Sequence, residues 1–208
     1  TGTIMQTIQQ SISDSMRVLE KWTEAQNSTT TAVSTEEMHA TMKELLANDL
    51  AARGFMAALS TSPIDLSGNF LKALRQAVQE HPAVSHDLIV KNIIMSATAS
   101  IQHKNSGKTE QALASQAVSE RNCRLAQLLS NEDLDATLKA ASKAIDSFEM
   151  TRADTAVATS TTGASNQTAA TSATGQTDDY WHNFFRRWAY TRELLLEVRS
   201  RYSSSFSL

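Results

Sequence analysis

The segment His103-Lys104-Asn105-Ser106-Gly107-Lys108-Thr109 ends in the Gly-Lys-Thr that closes a phosphate-binding loop, between a β-branched stretch and a helical one. That chemistry needs a backbone wrapped around phosphate oxygens. Its first glycine should fall at position 102, where the chain has Gln102. Without it the segment reads as a helix break. Glu36 and His39 stand at the i,i+3 spacing of dinuclear carboxylate bundles, which also take a second Glu-x-x-His pair and two further glutamates from facing helices. His81, His86, His103 and His182 all lack a glutamate three residues earlier. Glu36 and His39 are therefore expected to be a solvated first-turn cluster. Cys123 has Arg121 and Arg124 as neighbours but no histidine placed by sequence to activate it, so a partly buried thiol is expected. Dinucleotide fingerprints and serine-nucleophile elbows do not occur. The chain reads as a non-enzyme, with no catalytic residue, cofactor, metal site or small-molecule substrate expected.

The remaining chemistry lies at the C-terminus. Eight of the twelve aromatic residues fall in the last 29 positions, most densely from Tyr180 to Tyr190. Aromatic side chains bury roughly 150–250 Å² each, so such a cluster has to be covered. Thr177 is expected to cap a single helix from Asp178 to about Tyr202, with both aspartates in its first turn. At about 100° per residue, Trp181, Phe184, Phe185, Trp188, Leu195, Leu196, Val198 and Tyr202 gather on one side. Arg186, Arg187, Glu193, Glu197 and Arg201 take the other, with Glu197 and Arg201 as an i,i+4 pair. Arg192 and Arg199 fall inside the apolar arc. Either their stems cover it while they stack on Trp188, or they meet carboxylates or phosphates on whatever covers the rings.

Burial of four large rings could contribute on the order of 15 kcal/mol as an upper bound, enough to expect docking somewhere. The leading expectation is a helical interaction or assembly protein whose C-terminal helix docks on its own bundle, on another copy or on a partner protein. Trp181, Phe184, Phe185, Trp188, Arg192, Leu195 and Arg199 would make that contact. One alternative is a nucleic-acid-associated packaging or coat-type subunit, in which Arg186, Arg187 and Arg201, together with Arg192 and Arg199, contact phosphates and the aromatic rings stack between. The segment holds five arginines and no lysine, and the rest of the chain is acidic. Another is attachment to a membrane surface through the same helix.

The elements that would position this helix are themselves helical. Two prolines and six glycines in 208 residues favour long helices over a sandwich or barrel. Met5, Ile8, Ile12, Ser15, Leu19 and Trp22 mark one face of a first helix ending near Gln26. Ser34 and Glu37 have capping-box spacing and open a stripe through Met38, Met42, Leu45, Ala52, Met56 and Leu59. Asp49 falls in that stripe, where a partly exposed or paired carboxylate is expected. Ser62-Pro63-Ile64-Asp65 reads as the start of a helix burying Leu66, Phe70, Leu74 and Val78, which His81-Pro82 ends. Residues 85–104 are apolar over a wide arc, which predicts a central helix, although their β-branched content leaves a strand open. Residues 109–129 put Ala114, Val118, Leu125 and Leu129 on one side. Ser130 and Asp133 cap a helix with a Leu134, Leu138, Ala141, Ile145, Phe148 seam. The predicted class is therefore all-α: a bundle of about six helices over 1–153, a Ser/Thr/Ala/Gly-rich flexible linker over 154–177, and the aromatic helix with a short tail over 178–208.

One cysteine excludes an internal disulfide and leaves the compartment open. No run of about 18 apolar residues occurs, so no spanning helix is expected. Thr1-Gly2-Thr3 has no signal-peptide pattern, and a start without Met is what a processed or trimmed form would show. The glycosylation-type triplets at Asn27 and Asn166 arise from composition in segments this rich in Ser and Thr.

Overall fold

The computed structural model describes residues 2–28, 32–149 and 177–206, with the side chains of 2–7 excepted. Most of the expected linker, residues 154–176, lies outside them. The protein is an all-α multi-helix bundle, with ten helices and no strand among the described residues. These are α1 (Gly2–Asn27), α2 (Thr35–Leu46), α3 (Asp49–Thr61), α4 (Gly68–Glu80), α5 (Pro82–Asn105), α6 (Thr109–Leu128), α7 (Glu132–Ser147), α8 (Asp178–Arg187), α9 (Arg192–Arg201) and α10 (Ser203–Phe206). Two compact units divide the chain at the middle of α5, Thr1–Ile89 (unit 1) and Val90–Leu208 (unit 2).

In unit 1, α1 packs on α3, and α2 on both α3 and α4. The α1 face is closed by Ser15, Leu19 and Trp22, and the Trp22 indole meets Phe70 edge-on with centroids 6.1 Å apart. At Gly54 the α1 and α3 backbones nearly touch. An ideal Cβ there would lie 2.7 Å from the Ser11 backbone carbon, and closer still to its hydroxyl. Ser11 Oγ donates to Leu50 C=O across the same contact.

The stripe expected from Ser34 to Leu59 is buried at Met38, Met42, Ala52, Met56 and Leu59, but it belongs to two helices. Ser34 Oγ accepts the Glu37 N–H at 3.1 Å, as capping-box spacing predicts. The second start is at Asn48, whose side-chain oxygen accepts from Leu50 and Ala51 at 3.0 Å and leaves Asp49 exposed in the first turn. The helix expected from Pro63 begins later, at Gly68. The Gln26 side chain holds the Asp65 backbone at both ends: Nε2 donates to its C=O at 3.1 Å and Oε1 accepts its N–H at 3.0 Å. That keeps 62–67 out of a helix while Ile64 plugs the core at 1% exposure.

Unit 2 is built on the second half of α5, with Val90, Ile93, Ile94, Ala97 and Ile101 buried, so the β-branched stretch is helical. Gly107 (φ +72°) ends α5 in the left-handed region, with Lys108 N–H returning to His103 C=O at 2.9 Å. The Gly-Lys-Thr segment is thus a helix-to-helix turn. Of the face expected on α6, Leu125 and Leu129 are buried and Val118 is half-buried, but Ala114 is exposed, and Ala112, Ser119, Asn122, Cys123 and Ala126 also point inward. Its small polar side chains find helix carbonyls, Ser119 Oγ donating to Gln116 C=O and Asn122 Nδ2 to Val118 C=O, both at 2.9 Å, and hydropathy does not register that. The α7 seam Leu134, Leu138, Ala141, Ile145 and Phe148 is fully buried, although its cap is Asn131 rather than Ser130.

Candidate interaction site

The C-terminal segment is two helices and a short third one, not the single helix expected. After Arg187 the chain passes through Trp188 to Ala189, which takes φ +52°. Tyr190 N–H returns to Phe185 C=O and Ala189 N–H to Arg186 C=O, both at 3.0 Å, which are the two bonds of a Schellman ending with alanine in the glycine position. The Tyr190 ring then meets Phe184, with centroids 6.2 Å apart, supplying the apolar contact that accompanies such an ending. Thr191 restarts the chain as α9 by accepting the Leu194 N–H at 3.2 Å. Because the break turns the chain, the expected single face is split.

One part of that face is internal to unit 2. Trp181 and Phe185 are fully buried, and Phe184 is 9% exposed. Phe148, at the end of α7, meets Phe185 edge-on at 5.2 Å, while Trp181 stacks toward Phe185 at 6.4 Å. Leu195 and Val198 of α9 and Phe206 of α10 are buried as well, and α8, α9 and α10 all pack on α7. These residues are covered by the chain's own helices. Trp188 differs: its indole is 49% exposed and lies over Tyr190, with centroids 6.5 Å apart and planes 16° from parallel.

The arginines of the apolar arc meet an aspartate. Arg192 donates to Asp146 C=O at 3.2 Å, and Arg199 bonds the Asp146 carboxylate. His182 Nε2 lies 2.9 Å from Ala144 C=O, so the last carbonyls of α7, which no amide of that helix can satisfy, are taken by side chains of α8 and α9. Arg201 pairs with Glu197 at 2.5 Å as its spacing predicts. Arg186 lies 5.9 Å from the Phe148 ring centre, and Arg187 is exposed. Asp146 carried no signal of its own in the sequence, because it reads as one more exposed carboxylate at a helix end.

Two tyrosines fasten the segment to neighbouring helices. Tyr190 is 4% exposed, and burial pushes its phenol up to about 12, with a hydrogen bond to Thr98 working the other way. Tyr202 Oη lies 2.6 Å from Ser119 Oγ on α6, and burial raises it too. Cys123 is buried near Tyr202; desolvation raises its thiol, a bond to Ser205 works against that, and the sulfur is held protonated.

The other sequence candidates are engaged elsewhere. His39 Nε2 lies 2.7 Å from the Glu80 carboxylate, and Lys43 Nζ 2.6 Å from its other oxygen, so His39 ties α2 to α4 and has no partnership with Glu36. Among the described residues no three His, Cys, Asp or Glu side chains gather as metal ligands, and no helix is long and apolar enough to cross a membrane.

The family model described as Uncharacterised conserved protein UCP020893 matches residues 7–155, a span that stops short of α8. No curated protein and no solved structure matches the chain.

Proposed function

We propose, for a chain that belongs to the family Uncharacterised conserved protein UCP020893, that it is a non-enzymatic helical interaction protein. Its C-terminal segment associates with a second copy or a partner protein, and Trp188 is the residue it presents. The observation that supports this reading is the state of that one indole. It is half exposed, it lies flat on a buried tyrosine, and it stands at a tight turn, so little rotamer freedom is left to lose on contact. Rigid aromatic anchors of this kind dominate interface energetics. The pairings of Arg199 with Asp146 and of Arg201 with Glu197 weigh against a phosphate-binding role for these two cations.

The test is light scattering of the full chain on a sizing column over a range of concentrations, with absorbance followed in the protein and nucleic-acid bands. A mass above 22.7 kDa that returns to 22.7 kDa in Trp188→Ala is the expected result. Stability should change by no more than about 0.5 kcal/mol, as for other exposed sites. A mass of 22.7 kDa at every concentration, unaltered by the substitution, would overturn self-association. A nucleic-acid band in the peak would replace it with the phosphate-binding alternative.

A further inference from the structure

The segment α8 is held on two sides by different chemistry. On the α7 side it is held by the rings, by His182 at the Ala144 carbonyl and by an exposed Lys143–Asp178 pair at 3.5 Å. On the α5 side a cation holds it. Lys91 Nζ donates to Tyr180 Oη at 2.7 Å, and it lies 4.9 Å from the Tyr180 ring centre and 5.3 Å from that of Phe184. Tyr180 and Phe184 are one turn apart on α8, so a single ammonium fastens two turns of that helix.

A second observation concerns what this arrangement leaves undone. Trp181 is fully buried, and its indole N–H has no hydrogen-bond acceptor among the described residues. A buried donor without an acceptor is unfavourable, so the packed position of α8 leaves one interaction of its central ring unmade. An environment that kept the apolar surroundings and added one acceptor would be better.

We propose that Lys91 is the latch of a closed state of α8. Loss of its charge raises the fraction of chains in which Trp181, Phe184 and Phe185 are open to a protein partner whose groove is apolar and offers a carbonyl or carboxylate oxygen to the Trp181 N–H. This rests on the reading of the C-terminal segment as an interaction surface. It adds to that reading a face that the closed state covers and the residue that keeps it covered. A helix laid into an apolar groove by residues spaced i, i+3 and i+4 is an established recognition mode, and 181, 184 and 185 have that spacing. Such a partner acts by taking the open state, so the latch sets how much of that state is on offer.

The test is hydrogen exchange by mass spectrometry on the full chain, comparing the native protein with Lys91→Met, which keeps the stem and drops the charge, and Lys91→Arg, which keeps a cation. In Lys91→Met the amides of 178–187 are expected to exchange about tenfold faster, as loss of a partly buried cation–π contact implies. Those of 49–61 in unit 1 should stay as they were, and Lys91→Arg should restore most of the protection. Unchanged protection over 178–187, or a rise that 49–61 shares in full, would overturn the latch. Faster exchange over 178–187 in a protein that still elutes at 22.7 kDa and captures no partner would support the latch and remove the interaction reading, so the two fail separately.

Discussion

In unit 1 the close approach of α1 and α3 is made by two small residues, Gly54 on α3 against Ser11 on α1, whereas in unit 2 the α7–α8 contact is made by Phe148 and Phe185 with Trp181 behind them. Small residues let backbones approach, and the gain is spread over many weak contacts along both helices. Large rings hold backbones apart and concentrate burial in a few side chains. Each unit is therefore brittle in a different place. Unit 1 should tolerate little added volume at its crossing, while unit 2 should depend on a few groups brought in from the far end of the sequence. All three tyrosines lie in unit 2, and Trp22 reports on unit 1 alone, so each unit can be followed by its own signal.

The largest expected effect is at Gly54. Gly54→Ala would gain up to about 1 kcal/mol of helix propensity, but its Cβ would press on the Ser11 backbone and force α1 away. We expect a net loss of about 2 kcal/mol in urea unfolding followed by Trp22 fluorescence in a Trp181→Phe, Trp188→Phe background. A variant as stable as its parent would show that the crossing has slack and would dissolve the contrast between the two units.

What the sequence made legible follows the same division. The helix starts marked by side chains acting locally, Ser34 above all, and the regular seam of α7 could be read directly, as could the density of rings. What could not be read depended on distant partners or on unmarked backbone. Gln26 delays the start of α4 from 39 residues away. Ala189 adopts a turn that glycine would have advertised, so one helix was expected where there are two. Of the seven residues expected to form the contact surface, Trp181, Phe184, Phe185 and Leu195 are buried in unit 2, and Trp188 is the large ring that stays in solvent. Arg192 and Arg199 were legible as cations in need of partners. The partner was not, because helical periodicity ranks faces and carries no information on which exposed aspartate a folded chain brings near.

In unit 2 the enclosed phenol of Tyr190 sets an alkaline limb of stability. Tyr190 keeps its proton to about pH 12 in the folded chain, against about 10 unfolded, so above pH 10 the unfolded state has lost a proton that the folded state retains. Stability therefore falls as pH rises through that interval, by roughly 1.4 kcal/mol at pH 11. Tyr190→Phe, which keeps the ring and removes the titrating group, is expected to flatten that fall. An unchanged alkaline limb in the variant would mean that the phenol is less enclosed than its 4% exposure indicates.

The smallest expected effect comes from unit 1 and has the opposite sign in pH. Hydrogen bonding from Lys43, with His39 next, holds the Glu80 carboxyl below its usual value of 4.5. A carboxylate lowered in the folded state contributes stability that is complete above its unfolded value and disappears as pH falls through the folded one, so the window opens just below pH 4.5. The pair is solvent-facing, so the effect should be slight and should shrink with added salt. Glu80→Gln is expected to reduce the acid loss seen by Trp22 and to leave the tyrosine-linked alkaline limb of unit 2 as it was. Equal changes in both limbs would show that the two units do not respond separately, because a carboxylate of the α2–α4 contact would then be setting the alkaline behaviour of unit 2.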